Sequence, residues 1–299
     1  MYKMNIFEYQ RLHEKIKHTT AVMPYNIYLC SIPLDFPGVM MHWHDEVELI
    51  SIKKGCGLVC VDMVCYRVKS GDLIVVLPGK IHEITAIPGE RMEYENVIIS
   101  RSVLIQKNDD PVLSGVLEPL FNGDRKLKTP HITPDLECYD RVTMLINELD
   151  RVSDKKEIGY QLLAKACFLG IFYSLLKDSV SVSDREKITS VKSMEKIKQV
   201  TAYVEYHYMD QIGIKEMAEY VGYSESHFMK YFKNVTGQSF TVWLNDYRLS
   251  IAAKILSTGD ESVLDVAFET GFNSLSYFNR AFKNKYGMSP GKYRKLYKS

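Results

Sequence analysis

The sequence predicts a two-domain α+β protein, strand-rich at its N-terminal end and all-helical at its C-terminal end. Three observations lead there. Between residues 25 and 100, short runs of β-branched and aromatic residues alternate with turns containing Gly or Pro. From Pro134 onward, apolar residues recur with a period near 3.6. The last hundred or so residues contain an internal repeat, and an internal repeat outranks local propensity in fixing a fold. A chain of 299 residues is long enough for two ordinary cores.

The strand-rich part is expected to span 1–133. Runs at 25–32, 47–52, 57–61, 72–76 and 95–99 have strand composition. Pro37-Gly38, Lys54-Gly55, Ser70-Gly71, Pro78-Gly79 and Pro88-Gly89 supply the turns between them. Closely spaced strands of this kind close into a barrel or sandwich.

A helical hairpin is expected at 134–178. Leu136, Tyr139, Val142, Met144, Leu145 and Leu149 form one stripe. Leu162, Leu163, Ala166, Leu169, Gly170, Tyr173 and Leu176 form a second. Two antiparallel helices of this kind bury their faces on the barrel or on a second subunit, so a homodimer is expected. Residues 178–184, DSVSVSD, are polar and lack helical periodicity, and 179–190 reads as an interdomain linker. The remaining segment, 191–299, is helical.

Within that segment, Gly222-Tyr223-Ser224, Phe228, Phe232-Lys233-Asn234, Gly237 and Ser239 are echoed by Gly271-Phe272-Asn273, Phe278, Phe282-Lys283-Asn284, Gly287 and Ser289. Each unit reads as a helix, a glycine that ends it, a capping residue and a second helix. Ile214, Met217, Ala218 and Val221 line the first helix of one unit, and Val263, Val266 and Ala267 that of the other. Ser224 caps the second helix of the first unit, and Asn273 or Ser274 that of the second. Phe228 with Phe232, and Phe278 with Phe282, turn inward at i, i+4 spacing. Ser226, Met229 and Lys230 then point outward, as do Ser276, Asn279 and Arg280. This is helix-turn-helix grammar, and Arg and Asn are side chains suited to reading guanine and adenine edges. Between the units, Trp243, Tyr247, Ile251, Ala252, Ile255 and Leu256 make an apolar stripe on a connecting helix. That helix, roughly 27 Å long at 1.5 Å per residue, suits two recognition helices about one DNA turn apart. From residue 190 on, 15 Lys and Arg face 11 Asp and Glu, whereas the rest of the chain has 23 against 26. The basic excess sits where DNA is expected.

The C-terminal region resembles the DNA-binding domain of the AraC/XylS family of transcription regulators. The resemblance rests on the unit from Ala218 to Lys233, then Arg248-Leu249, Ala252, Leu256, Val266-Ala267, Gly271-Phe272, Tyr277-Phe278, Arg280, Phe282-Lys283, Gly287-Met288-Ser289-Pro290 and Tyr293-Arg294. It implies that both recognition helices enter successive major grooves of promoter DNA. The family's base-contacting positions fall on Ser226, Met229, Lys230, Ser276, Asn279 and Arg280. Met229 departs from the pattern, because a thioether meets a thymine methyl but reads no base edge by hydrogen bonds.

Nearer the start, Gly38, His42-Trp43-His44, Glu48 and Gly55 resemble the first cupin motif, and Gly71, Pro78 and His82 the second. The resemblance implies a cupin-like barrel in which His42, His44, Glu48 and His82 hold a metal. Apart from the resemblance, His42, His44 and Glu48 share parity and so are expected on one strand face. Three imidazoles and a carboxylate suit Zn, Ni, Fe or Mn. The same groups equally suit hydrogen bonding to an organic effector, and Trp43 on the other face reads as packing. A carbohydrate-related effector is what the family resemblance favours.

Other classes are disfavoured. No run of eighteen apolar residues exists, residues 1–10 lack the pattern of a signal peptide, and a cytoplasmic location with no membrane partner is expected. Cys30, Cys56, Cys60, Cys65, Cys138 and Cys167 form no CxxC pair and read as small buried hydrophobes. The expectation is a regulator without catalytic residues, working with promoter DNA, a small-molecule effector, a second copy of itself and RNA polymerase. The alternative is a cupin-type metal-dependent oxygenase or isomerase in the barrel.

Overall fold

The computed structural model describes residues 25–35, 38–105 and 111–297, with side chains except at 184–191. Residues 1–10 and Pro37, used above, lie outside the described residues. Among the described residues, no helix is long and apolar enough to cross a membrane.

Strand β1 (Tyr25–Ile32) pairs with β7 (Met92–Ile99), β7 with β3 (Val47–Val61), β3 with β5 (Leu73–Val76), and β5 with β9 (His131–Ile132). A second antiparallel ladder joins β2 (Gly38–His42), β6 (His82–Ala86), β3 and β4 (Val64–Lys69). Strand β3 belongs to both. The sequence predicts two strands here with a turn at Lys54-Gly55, but a single bent strand runs through. Its register slips between Ile52 and Lys54. Gly55 has φ 74°, and a Cβ there would sit 1.8 Å from the Arg91 carbonyl oxygen. The glycine bends the strand from one ladder into the other instead of ending it.

Side-chain alternation then sorts the sheet. Ile50, Ile52, Val59 and Val61 of β3 enter a core with Tyr28, Val39, Ile84 and Tyr94, drawn from both ladders. Val47 and Leu49 face the other way, onto helices α3 (Tyr139–Lys155) and α4 (Tyr160–Lys177). Short helices α1 (Arg101–Leu104) and α2 (Pro111–Phe121) pack in the same cluster.

The hairpin therefore covers the sheet, but with a different face of α4 from the one predicted. Ala164, Cys167, Phe168, Ile171, Phe172 and Leu175 are buried, while Leu162, Leu163 and Tyr173 are exposed. Helix α4 is apolar almost all round, so its periodicity does not select a face. Met144 on α3 is likewise exposed. The expected linker is also structured: β10 (Ser179–Ser181) pairs with β8 (Arg125–Leu127), and α5 (Asp184–His207) follows. Alternating Ser and Val in SVSVS suits an edge strand as well as a linker.

Helices α6 (Ile214–Tyr220) and α7 (Glu225–Thr236) form the first unit, and α9 (Val263–Glu269) and α10 (Leu275–Tyr286) the second. Helix α8 (Phe240–Thr258) joins them, and α11 (Pro290–Tyr297) closes the domain. The first half of α8 buries Phe240, Trp243, Leu244 and Tyr247 against α5, α6 and α7. Its second half buries Leu249, Ala252, Ala253 and Leu256 against α9, α10 and α11. One rod thus supplies part of two cores.

Arg248 sits where the two cores meet and is 7% exposed. Its Nε donates to the Tyr208 carbonyl at 2.7 Å and its Nη2 to the Asp210 carbonyl at 2.6 Å. These bonds tie α8 to the loop between α5 and α6. Gly271 lies against the same arginine: a Cβ there would fall 2.5 Å from the Tyr208 oxygen and 2.8 Å from Arg248 Nε. Gly222 has the same left-handed conformation but open space around it. Gly222→Ala should therefore cost only the backbone strain, about 1–2 kcal/mol. Gly271→Ala should cost about 2–5 kcal/mol, because overpacking adds to that strain. Urea unfolding of the two variants measures the difference; equal losses would refute the account of this junction.

Candidate nucleic-acid interface and ligand site

Each recognition helix is oriented by the residues the repeat singles out. Ser224 caps α7, its hydroxyl accepting from His227 N–H at 3.3 Å. Ser274, rather than Asn273, caps α10 by accepting from Tyr277 N–H at 3.3 Å. The Asn273 side chain instead accepts from Gln211 at 3.2 Å. Phe228, Phe232, Phe278 and Phe282 are fully buried. On the opposite faces Ser226, Met229, Lys230, Ser276 and Arg280 are exposed and Asn279 is half-buried. Arg280 leans over the Tyr277 ring, 5.6 Å from its centroid, and Tyr277 accepts from Asn245 at 3.0 Å. An aromatic rest of this kind restricts the guanidinium and lowers the entropy lost on binding. Lys233 and Lys283 add exposed charge to the same helices.

Inside the sheet, His42, His44, Glu48 and His82 come together, each at most 3% exposed. One ligand atom from each lies within 4.8 Å of the others. The convergence does not arise on one strand, as parity predicts. His42 ends β2, His44 lies in the connection after it, Glu48 is on β3, and His82 opens β6 directly opposite His42 in register. Three adjacent segments, not one face, build the cluster.

Its hydrogen bonds are specific. The His42 and His82 Nδ1 atoms lie 2.9 Å and 3.0 Å from the Met40 and Lys80 carbonyls. A carbonyl can only accept, so each ring donates from Nδ1 there and turns its Nε2 toward the cluster. His44 Nε2 is 2.9 Å and His82 Nε2 2.7 Å from Glu48 Oε2. Burial alone would raise the Glu48 carboxyl, but His82 and His44 hold it well below the usual range, so it is ionised. Burial, with His82 beside it, pushes His42 well below the usual imidazole value and keeps it neutral. Glu48 Oε1 is buried without a hydrogen-bond partner. Inward-turned imidazoles, an ionised carboxylate and an orphaned oxygen, in a buried cluster, fit a divalent cation.

The strand that carries this cluster has a second face. Met41 and Ile81, adjacent to His42 and His82, are buried among Ile197, Val200 and Val204 of α5 and the first helix-turn-helix unit. Trp43 packs on the same cluster, with Lys198 Nζ 3.8 Å from its ring centre. The reading of Trp43 as packing thus holds, but its partner is the other domain.

Sequence reasoning missed three features. Arg248 interrupts an otherwise apolar stripe on α8, which was a signal for a buried cation with backbone partners. Lys285 on α10 reaches back to α8, donating to the Asp246 carbonyl at 2.8 Å and to Ser250 at 3.1 Å, with no comparable signal. Cys60 and Cys65, expected to be buried hydrophobes, form a disulfide in which Cys65 is exposed. The pairing follows from strand register, which spacing rules for CxxC do not detect.

Comparisons with known proteins agree at both ends of the chain. Residues 27–108 match the AraC-like ligand binding domain, and residues 217–296 match a helix-turn-helix domain. The chain is 22% identical over 288 residues to the HTH-type transcriptional regulator YdeC of Bacillus subtilis (strain 168), covering 96% of this chain and 97% of that one. It is 37% identical over 105 residues to the HTH-type transcriptional regulator SAS0078 of Staphylococcus aureus (strain MSSA476), which is 35% of this chain but 14% of that one. Among solved structures, ToxT from Vibrio cholerae aligns over 92% of this chain and 100% of its own at 18% identity, with a TM-score of 0.48. The chain thus carries an AraC-like ligand-binding domain ahead of a helix-turn-helix domain, the two parts of a transcription regulator.

Proposed function

We propose that this regulator is a cytoplasmic, homodimeric, sequence-specific DNA-binding protein whose affinity for promoter DNA is set by a small molecule or ion bound at His42, His44, Glu48 and His82. One observation carries the reading: the residues next to these ligands, Met41, Trp43 and Ile81, pack into the core of the first helix-turn-helix unit. A ligand changes function only if it binds two arrangements unequally. Here any shift of His42 or His82 moves a neighbour that the DNA-binding domain touches.

In this reading Arg280 and Asn279 read base edges, Ser226 and Ser276 contact the backbone or bases near the helix N-termini, Lys230 meets phosphate, and Met229 covers a thymine methyl. RNA polymerase is the further partner. The sheet domain binds and does not turn over a substrate. A divalent ion (Zn, Ni, Fe or Mn) held by the three imidazoles and Glu48 would supply a fixed positive charge. Around it, the Met40 and Lys80 carbonyls keep two rings oriented. A carbohydrate-related effector suits the family, and the exposed row of Leu162, Leu163 and Tyr173 on α4, with Met144 on α3, suits the dimer contact.

The DNA assignment is tested with Arg280→Ala in gel shifts against base-substituted promoter fragments. Binding should weaken by about 1–3 kcal/mol and preference relax at one position. Unaltered affinity and preference would remove Arg280 from the interface. The sensor assignment is tested by calorimetric titration with Zn²⁺ or Mn²⁺. His44→Ala should abolish ion uptake and leave basal promoter affinity near wild type; a variant that still takes up the ion with full affinity would rule the cluster out. For assembly, Leu162→Arg should yield monomers by light scattering at micromolar concentration, and an unchanged dimer would exclude the α4 face.

A further inference from the structure

The Cys60–Cys65 disulfide lies outside both sites above. Antiparallel register sets Cys65 of β4 opposite Cys60 of β3, and Cys60 in turn opposite Glu83 of β6. The three side chains stand in a row across three strands, their sulfur and carboxylate atoms within 4.8 Å of one another. Cys60 is buried, whereas Cys65 is exposed. A thiol in solution therefore reaches one sulfur of the pair and not the other.

The cross-link closes a two-residue turn, Asp62-Met63, at the end of the hairpin. That tip is a domain contact. Met63 packs on the cluster of α5 and the first helix-turn-helix unit. Asp62 donates its backbone N–H to the Ile81 carbonyl at 2.8 Å and pairs with Lys80 at 2.5 Å. Ile81 is itself buried in the same interdomain cluster. At the other end of the row, Glu83 lines a cleft of about 480 Å³ that it shares with Asp246 of α8 and Lys285 of α10. The disulfide is thus flanked by a contact to the first helix-turn-helix unit and by a cleft that reaches the second.

We propose that Cys60 and Cys65 are a reversible thiol–disulfide site, reduced by a dithiol, that sets how the sheet domain grips the DNA-binding domain. The thiolate of a dithiol reductant attacks Cys65 Sγ, forming a mixed disulfide and expelling Cys60 as a thiolate that takes up a proton. The second thiol of the reductant then displaces Cys65. Two cysteine thiols and one oxidised reductant result, a balanced two-electron exchange. Disulfides in cytosolic proteins are mostly transient or redox-sensing rather than structural, so the role rests on the cytoplasmic regulator read above. Opening the cross-link frees the Asp62-Met63 tip from its closest restraint and loosens its hold on α5.

The full-length protein carries its own reporter, because its two tryptophans, Trp43 and Trp243, both lie at this seam. Oxidised protein is titrated with dithiothreitol while tryptophan emission and maleimide-reactive thiols are followed. No DNA is present, so failure here is distinct from failure of the DNA-binding assignment. Reduction should release two additional reactive thiols, and emission should change along the same titration curve. Cys65→Ser, at an exposed position, should show the reduced-state emission under all conditions, as should Cys60→Ser. Cys56→Ser should switch like the wild type. Cys65 already reactive in oxidised protein would disprove the pair; two thiols released without any change in emission would reduce it to a local tie. If Cys60→Ser does not fold, Cys65→Ser alone decides between these outcomes.

Discussion

A β-strand presents opposite faces to opposite surroundings, and the fold depends on that constraint at β2 and the residues just after it. His42 and His44 turn into the buried cluster with Glu48 and His82, while Met41 and Trp43 turn out to the DNA-binding domain. The opening of β6 repeats the arrangement with His82 inward and Ile81 outward. The buried cluster and the first helix-turn-helix unit are therefore separated by one backbone, with no long relay between them. Packed interiors pass on small displacements because they hold few voids in which to absorb them.

The DNA-binding half solves a different problem, which is to hold two reading helices in fixed relation. Neither unit is packed alone, because α8 contributes to the core of both. Arg248 adds direction to that apolar packing, since two charge-assisted bonds to carbonyls are short and oriented. Removing the arginine would leave the Tyr208 and Asp210 carbonyls without these donors and would free the second unit to rotate against the first.

Much of this was legible in the sequence. The repeat indicated the order of the helices, their inward phenylalanines and their outward faces, because each local signal agreed with the others. The four residues of the buried cluster were legible as a set, but the reason they meet was not. Parity along one strand implied a common face, whereas the cluster is built by chain reversal and by the pairing of β2 with β6. Strands β2, β4 and β6 carry mixed composition, such as GVMMH and HEITA, and take their state from neighbours and not from propensity. On α4 nearly every position is apolar, so burial was decided by the sheet beneath it. The disulfide depended on register, a long-range property that the spacing of cysteines along the chain does not encode.

The buried cluster and the first helix-turn-helix unit share one mechanical element, the backbone of β2 and the start of β6. Amide hydrogen exchange on the full-length wild type and on His44→Ala measures this without any ligand. Loss of the His44–Glu48 contact should speed exchange at residues 40–43 and, beyond the sheet, in α5 and α6. Faster exchange confined to β2, β3 and β6, with α5 and α6 unchanged, would contradict it.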